Sequence, residues 1–163
     1  MTTLIECIPN ISEGRRPEVV EAVRKAALGA GPGVLLLDWT SDADHNRSVL
    51  TFLGDGPGLL RGMEAMVDEA LRHVDLTKHE GAHPRLGAVD VIPFVPIRGA
   101  TTADCVALAK ELGSRLASKH GLPIYLYEDA ASSEPRRNLA TIRKGEFEGL
   151  AEKMKSPEWK PDF

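Results

Sequence analysis

The amino-acid sequence predicts an α+β fold, a two-layer sandwich with a mixed sheet and helices mainly on one face. Three observations predict it. Short apolar runs alternate with longer amphipathic stretches in the order strand, helix, strand, strand, helix, strand. The amphipathic stretches each carry one apolar face, as helices lying on a sheet do. Two prolines, Pro93 and Pro96, fall inside the fourth strand region, where missing ladder donors mark a sheet edge or a bulge.

The elements follow in order. Leu4 to Pro9 is a short apolar run stopped by Pro9-Asn10 and reads as a strand. Pro17 opens a helix, since proline is tolerated at the first helical position. Val19, Val20, Val23 and Ala27 share its inner face, and Gly29, Gly31, Pro32 and Gly33 end it. Val34 to Trp39 is a continuous apolar run and the second strand. Arg47 to Leu53, ended by Gly54, is the third. Gly56-Pro57 leads into a helix whose inner face is Leu59, Leu60, Met63, Val67, Ala70, Leu71 and Val74. Leu86 to Ile97 holds the fourth strand. That order is the split βαβ, ferredoxin-like unit. A further helix spans Thr102 to His120. Thr101 is its N-cap with Asp104 three residues on, a capping box with the shorter acid. Val106, Ala109, Leu112 and Leu116 form its buried stripe, and Gly121 with Pro123 stops it. Ile124 to Tyr127 reads as one more strand. Glu128 to Phe163 is a charged tail, mostly helical or irregular.

With 163 residues, the chain is read as a single domain over 1–163. The formal net charge is -4 and basic residues are scattered, as in the pairs Arg15-Arg16 and Arg136-Arg137, which argues against nucleic-acid binding. The two cysteines, Cys7 and Cys105, form no CxxC and sit among apolar neighbours, so neither a zinc ribbon nor a disulfide framework is written here. The first residues, Met1 to Glu6, lack a basic region and a long apolar run, so no secretory signal is expected. No window approaches a membrane span. The expected setting is cytoplasmic, with no membrane partner.

Three polar clusters exceed what a core needs. Pro9-Asn10-Ile11-Ser12-Glu13-Gly14 lies between a strand and a helix, where Ser12, Glu13 and free helix N–H groups suit binding an anion or orienting a ligand, or simply a turn with an N-cap. Ser41-Asp42-Ala43-Asp44-His45-Asn46-Arg47 gathers five polar side chains around one histidine between two strands. It lacks the glycine and distal glutamate of a calcium loop, and a solvated hairpin turn is the plain alternative. The third cluster runs from His79 to Asp90. His79 and His83 match H-E-x-x-H literally, but Gly81 weakens a helix and Pro84 disfavours helical geometry at His83, so an irregular loop is predicted and no metal is expected. An imidazole with an ordinary pKa of ~6.5 can trade protons near neutrality, which makes His83 the candidate base. Asp90, Glu80 or an aspartate of the second cluster could fix its tautomer, and Arg85 could grip a carboxylate through its fork. His73 and His120, at helix C-terminal ends, read as structural.

At these clusters the sequence resembles a known family. Cys7-Ile8-Pro9-Asn10-Ile11-Ser12-Glu13-Gly14 resembles the opening signature of glutamate formimidoyltransferases. Asp44-His45-Asn46-Arg47-Ser48 resembles the family's D-H-N-R loop. The segment from His79 to Asp90 resembles its H-x-G-x-H-P-R-x-G-A-x-D stretch. Pro93 to Gly99, Pro123 to Tyr127 and Arg136-Arg137-Asn138-Leu139 continue the match, which covers Leu4 to Phe163. The resemblance implies transfer of a formimino group from N-formimino-L-glutamate to N5 of tetrahydrofolate in histidine breakdown, one-carbon metabolism with folate as co-substrate. It implies two ferredoxin-like subdomains with folate between them, this chain being the N-terminal one. It makes His83 the catalytic residue. Side-chain chemistry, not the resemblance, makes Arg47, Arg85 and Arg137 the candidates for the carboxylates of glutamate or folate, with Asn10, Ser12 and Asn46 as further binding candidates.

Two departures accompany it. Thr40 stands where vertebrate members carry an aspartate thought to assist the histidine, so Asp38, Asp42 or Asp44 is its expected substitute. The family's transferase module is also about twice as long, so these 163 residues are expected to hold its first subdomain without the second or the cyclodeaminase part. His45, His79 and Asp90 complete the supporting candidates. A homodimer, or pairing with a second subdomain, is expected to cover the apolar face that half a cleft exposes. The alternative function is a non-catalytic folate-binding or regulatory module that retains the fold.

Overall fold

A computed structural model describes residues 3–163; the first two residues, on which part of the N-terminal reading rests, lie outside the described residues. Six strands form one sheet: β1 (Leu4–Cys7), β2 (Asn10–Ile11), β3 (Val34–Asp42), β4 (Arg47–Gly54), β5 (Val89–Val91) and β6 (Phe94–Arg98). Five helices accompany them: α1 (Pro17–Gly29), α2 (Gly56–His73), α3 (Thr102–His120), α4 (Leu139–Arg143) and α5 (Glu146–Lys153).

Strands β1 and β2 are one path interrupted at Ile8-Pro9, and β5 and β6 are another interrupted at Ile92-Pro93. The two interruptions answer each other. Ile8 N donates to Pro93 O at 3.2 Å, and Leu50 N donates to Pro9 O at 3.0 Å. Each proline breaks the ladder by lacking a donor, yet its carbonyl is still paired. The β1/β2 path lies between β4 and the β5/β6 path, while β3 lies on the far side of β4.

Every pairing is antiparallel, which corrects the expected mixed sheet. The reason is the crossover: the chain leaves β1/β2 through α1 and returns at β3, two places away, so β4 fills the gap with the opposite direction. The edges fall at β3 and at β5/β6, in line with the prolines of the latter. A register shift between Leu36 and Asp38 bends β3, which runs on to Asp42, beyond the expected Trp39.

Helices α1 and α2 pack against each other, and α3 packs on α2 and β6. Beneath them Ile5, Cys7, Leu50 and Phe52 are buried with Val23, Leu59, Met63 and Met66. Burial of this kind contributes roughly 25 cal/mol per Å² of apolar surface. The strand residues between these inward ones form the other face, where the register aligns Leu35, Leu53, Glu6 and Val95 across the sheet. Leu35 is 63% exposed and Ile97 54%, so this face is uncovered.

The third long helix has the expected bounds and a complete capping box of Thr101 and Asp104, and Gly121 closes it at φ 66. Its buried positions are Cys105, Leu112, Gly113 and Leu116; Val106 and Ala109, expected in that stripe, are half-buried and border a cavity. Ile124 to Tyr127 is not a strand, contrary to expectation. The C-terminus satisfies its backbone instead: Ile124 N donates to Phe163 O at 3.3 Å and Leu126 N to Asp162 Oδ2 at 2.8 Å. Among the described residues no helix is long and apolar enough to cross a membrane.

Candidate active site

Three turns meet at one end of the sheet: the β2–α1 turn with Glu13 and Gly14, the β3–β4 turn with Asp42 to Asn46, and the irregular loop from His79 to Ala88. Asn46 joins all three. Its Oδ1 accepts from Gly14 N at 3.0 Å, its Nδ2 donates to Glu80 O at 3.0 Å, and its carbonyl lies 3.0 Å from His79 Nε2. Its φ of 48 is left-handed, a conformation asparagine tolerates better than most residues. The approach is close enough that a Cβ on Gly14 would meet Asp42 O at 2.3 Å and one on Gly81 would meet His45 O at 2.4 Å. The motif glycines are therefore spacing requirements.

Glu13 is buried and fixes the first turn. Its carboxylate accepts from Arg15 N, Arg16 N and Arg16 Nε at 2.8, 2.9 and 2.6 Å. Burial pushes its pKa up, but these backbone donors and the Arg16 guanidinium outweigh it, and the net direction is down. Ser48 Oγ donates to Glu13 O at 2.5 Å, tying β4 to the same turn.

His83 is buried at the meeting point, 7% exposed. Arg47 Nη1 lies 3.4 Å from its Nδ1. A guanidinium only donates, so Nδ1 is the lone-pair nitrogen and Nε2 carries the proton of the neutral ring. Nε2 is 3.6 Å from Asp90 Oδ2, within ion-pair reach but without a hydrogen-bond partner. Asp90 is itself held: Oδ1 accepts from Leu86 N at 2.7 Å, and Oδ2 accepts from Arg143 Nη2 of α4. Burial lowers the His83 pKa, Arg47 lowers it further, Asp90 opposes, and Arg143 lowers it again; the net direction is down. The shift favours the neutral ring, whose Nδ1 lone pair faces Arg47.

The other expected candidates divide. Ser12 donates to Gly87 O at 2.8 Å and Asn10 Nδ2 to Ile8 O at 3.2 Å, both backbone ties. Ring nitrogens of His79 are both occupied, by Asn46 O and by Arg85 Nε at 3.2 Å. Arg85 is buried and spends its remaining donors on Glu146, Glu148 and His79 O. It fastens α5 to the loop and has no donor left for a substrate carboxylate. His45 sits on Asp42, its Nδ1 2.9 Å from Oδ2. That pairing and the His45 backbone donor hold the Asp42 carboxyl below its usual range. Asp38, Asp44 and Glu80 make no side-chain hydrogen bond or ion pair among the described residues. Exposed Arg137 pairs with Asp129 at 3.2 Å. Asp90, one of the expected alternatives, is thus the carboxylate beside His83. Arg47 keeps a buried Nε without a partner, as does Arg143.

Sequence reasoning passed over Arg143, Tyr127 and the α5 glutamates. No local signal marks Arg143, because its partner lies 53 positions away. A largely apolar cavity of about 400 Å³ borders the site, lined by Val89 to Phe94, one side of α3, and Leu122 to Ala130. Asp90 and Tyr127 contribute polar groups to it, and burial pushes the Tyr127 phenol up to about 12, so it stays protonated.

The family model described as formiminotransferase domain, N-terminal subdomain, matches residues 4–163. The chain is similar to a Streptococcus pyogenes serotype M1 protein named glutamate formimidoyltransferase, with 47% identity over 100% of this chain and 54% of that protein. It is similar to a Thermoplasma acidophilum protein of the same name, with 43% identity over 99% of the chain and 54% of that protein. A Dictyostelium discoideum protein named formimidoyltransferase-cyclodeaminase is 45% identical over 100% of the chain and 30% of its own length. The chain therefore spans about half the length of the shorter relatives and less of the longer one.

Proposed function

This chain belongs to the formiminotransferase family, as the N-terminal subdomain of the transferase domain, and from that premise we propose that it moves a formimino group from N-formimino-L-glutamate to N5 of tetrahydrofolate with His83 as general base. The observation that carries the proposal is the clamped ring: His83 is buried and neutral, with a proton on Nε2 toward Asp90 and a lone pair on Nδ1 beside Arg47. Names of two relatives, both glutamate formimidoyltransferase, support the donor and reaction class.

The steps follow from that arrangement. The N5 amine of the folate attacks the formimino carbon, and the imine π electrons move to nitrogen. Nδ1 of His83 takes the N5 proton, and Asp90 steadies the resulting imidazolium through Nε2. The tetrahedral adduct then collapses, breaking the bond from carbon to the glutamate nitrogen. His83 returns its proton to that nitrogen, so glutamate leaves as an amine and the base is regenerated. Arg47, with a donor to spare, grips a carboxylate of the glutamate donor and in doing so releases Nδ1. No metal enters these steps.

The accompanying fold reading is the ferredoxin-like unit. Two strand–helix–strand passages support it, β1–α1–β3 and β4–α2–β5/β6, each skipping one strand before it returns. The uncovered sheet face with Leu35, Val95 and Ile97 supports pairing with a second copy or a second subdomain, consistent with relatives about twice as long.

The test is glutamate release when the purified chain meets N-formimino-L-glutamate and tetrahydrofolate, alone and with a separately produced second half. Release in either mixture is the expected outcome. Tight folate binding with no release in both mixtures would leave only a binding module.

A further inference from the structure

Arg143 lies outside every motif that carries the chemistry, yet it reaches the carboxylate beside the base. It ends α4, whose Ile142 is buried and whose last carbonyls are held by Lys153: Nζ donates to Thr141 O at 3.0 Å and to Ile142 O at 2.6 Å. Asn138 caps the other end, its Oδ1 accepting from Ala140 N at 2.9 Å. So the guanidinium is aimed by a short helix fixed at both ends. Its Nη2 donates to Asp90 Oδ2, the same oxygen that faces His83 Nε2 at 3.6 Å. The Asp90 side chain is 1% exposed, so its charge is met chiefly by protein partners.

We propose that Arg143 is a positioning residue for His83: by occupying Asp90 Oδ2 it keeps the carboxylate at ion-pair distance from the imidazole instead of in a full hydrogen bond. This rests on the reading of His83 as the base. A carboxylate fully paired with the ring would stabilise the imidazolium in the resting enzyme and remove the lone pair that the reaction needs. With Arg143 in place, Asp90 still orients the Nε2–H tautomer but gives its charge mainly to the arginine. The tail beyond α3 thereby becomes part of the site, although it contributes no group to the substrate.

The groups acting on the ring are Arg47 from β4, Asp90 from β5 and Arg143 from α4. His79 and Arg85, in the same loop, are turned to each other and to Glu146 and Glu148, and the Tyr127 phenol stays neutral.

The experiment is an NMR titration of the His83 imidazole in the 163-residue chain without substrate, which reads the ring whether or not the chain turns over. In Arg143→Gln the freed carboxylate swings to His83, and the midpoint rises by about one pH unit. In the Asp90→Asn background the same change leaves only a screened direct effect, less than about half a pH unit. No rise in Arg143→Gln overturns the proposal, and so does a rise of equal size with and without Asp90. Should Arg143→Gln fail to fold because Asp90 is left buried and unpaired, the double variant removes both charges together. Comparing it with Asp90→Asn then decides: similar midpoints support the relay, and a full unit of difference overturns it.

Discussion

Arg47 Nη1 stands 3.4 Å from Nδ1 of His83, and this contact assigns the lone pair of the imidazole to that nitrogen. The consequence is directional. The nitrogen that can accept a proton faces Arg47, which keeps a buried Nε without a partner, while the other nitrogen faces Asp90. In the proposed mechanism, a carboxylate-bearing donor that takes Arg47 away uncovers Nδ1 at the moment a base is needed.

The pH dependence follows from the downward shift. Burial and Arg47 hold the His83 pKa below its ordinary ~6.5. The neutral ring therefore persists as pH falls through 6.5, and the acid limb of kcat/KM is expected below that value. Stability has the same sign: between the folded pKa and ~6.5 the unfolded chain binds more protons, so stability rises with pH across that window. Rate profiles and urea unfolding at several pH values check both.

Asp90→Asn removes the group that opposes this shift and the acceptor that supports the Nε2–H tautomer. The acid limb is expected to move to still lower pH while kcat falls on the order of 10²-fold or more. A matched pair of pH–rate profiles reads the two effects separately.

Gly81→Ala places a methyl group 2.4 Å from His45 O, a backbone atom that cannot step aside. The expected cost is about 1–3 kcal/mol, with the His79–Ala88 loop displaced and transfer lost. Thr101→Ala, at the capping box of α3, is expected to cost about 1 kcal/mol and leave transfer unchanged. Urea midpoints and transfer rates distinguish the two variants.

Arg85→Met separates support from substrate binding. The guanidinium fastens Glu146 and Glu148 to the loop, so its loss should speed amide exchange across α5 and lower Tm, with a smaller change in KM for the glutamate donor than Arg47→Met produces. Hydrogen exchange with mass spectrometry and initial-rate kinetics check the contrast.

Much of this was legible in the chain. Periodicity placed α1, α2 and α3 nearly to the residue because each has one apolar stripe and a clear stop: Gly29, the turn after His73, and Gly121. Pro84 argued against a helix at His83, and the loop is irregular. Strand directions were not legible, since a crossover that skips one place reads the same in sequence as one that does not. Nor was the fate of Ile124 to Tyr127, whose partners are the last residues of the chain. Arg85 looked like a carboxylate grip because its residue type suits one, and only the fold reveals that two glutamates already occupy it. Arg143 gave no signal because its role is a contact between distant segments.

The central claim is that His83 moves the proton. The most direct test is single-turnover transfer by the chain, with its second half if required, beside His83→Ala of verified fold. The account predicts a drop of about 10²–10⁴-fold in the chemical step, with folate binding retained. Transfer at an undiminished rate by the folded variant would contradict it.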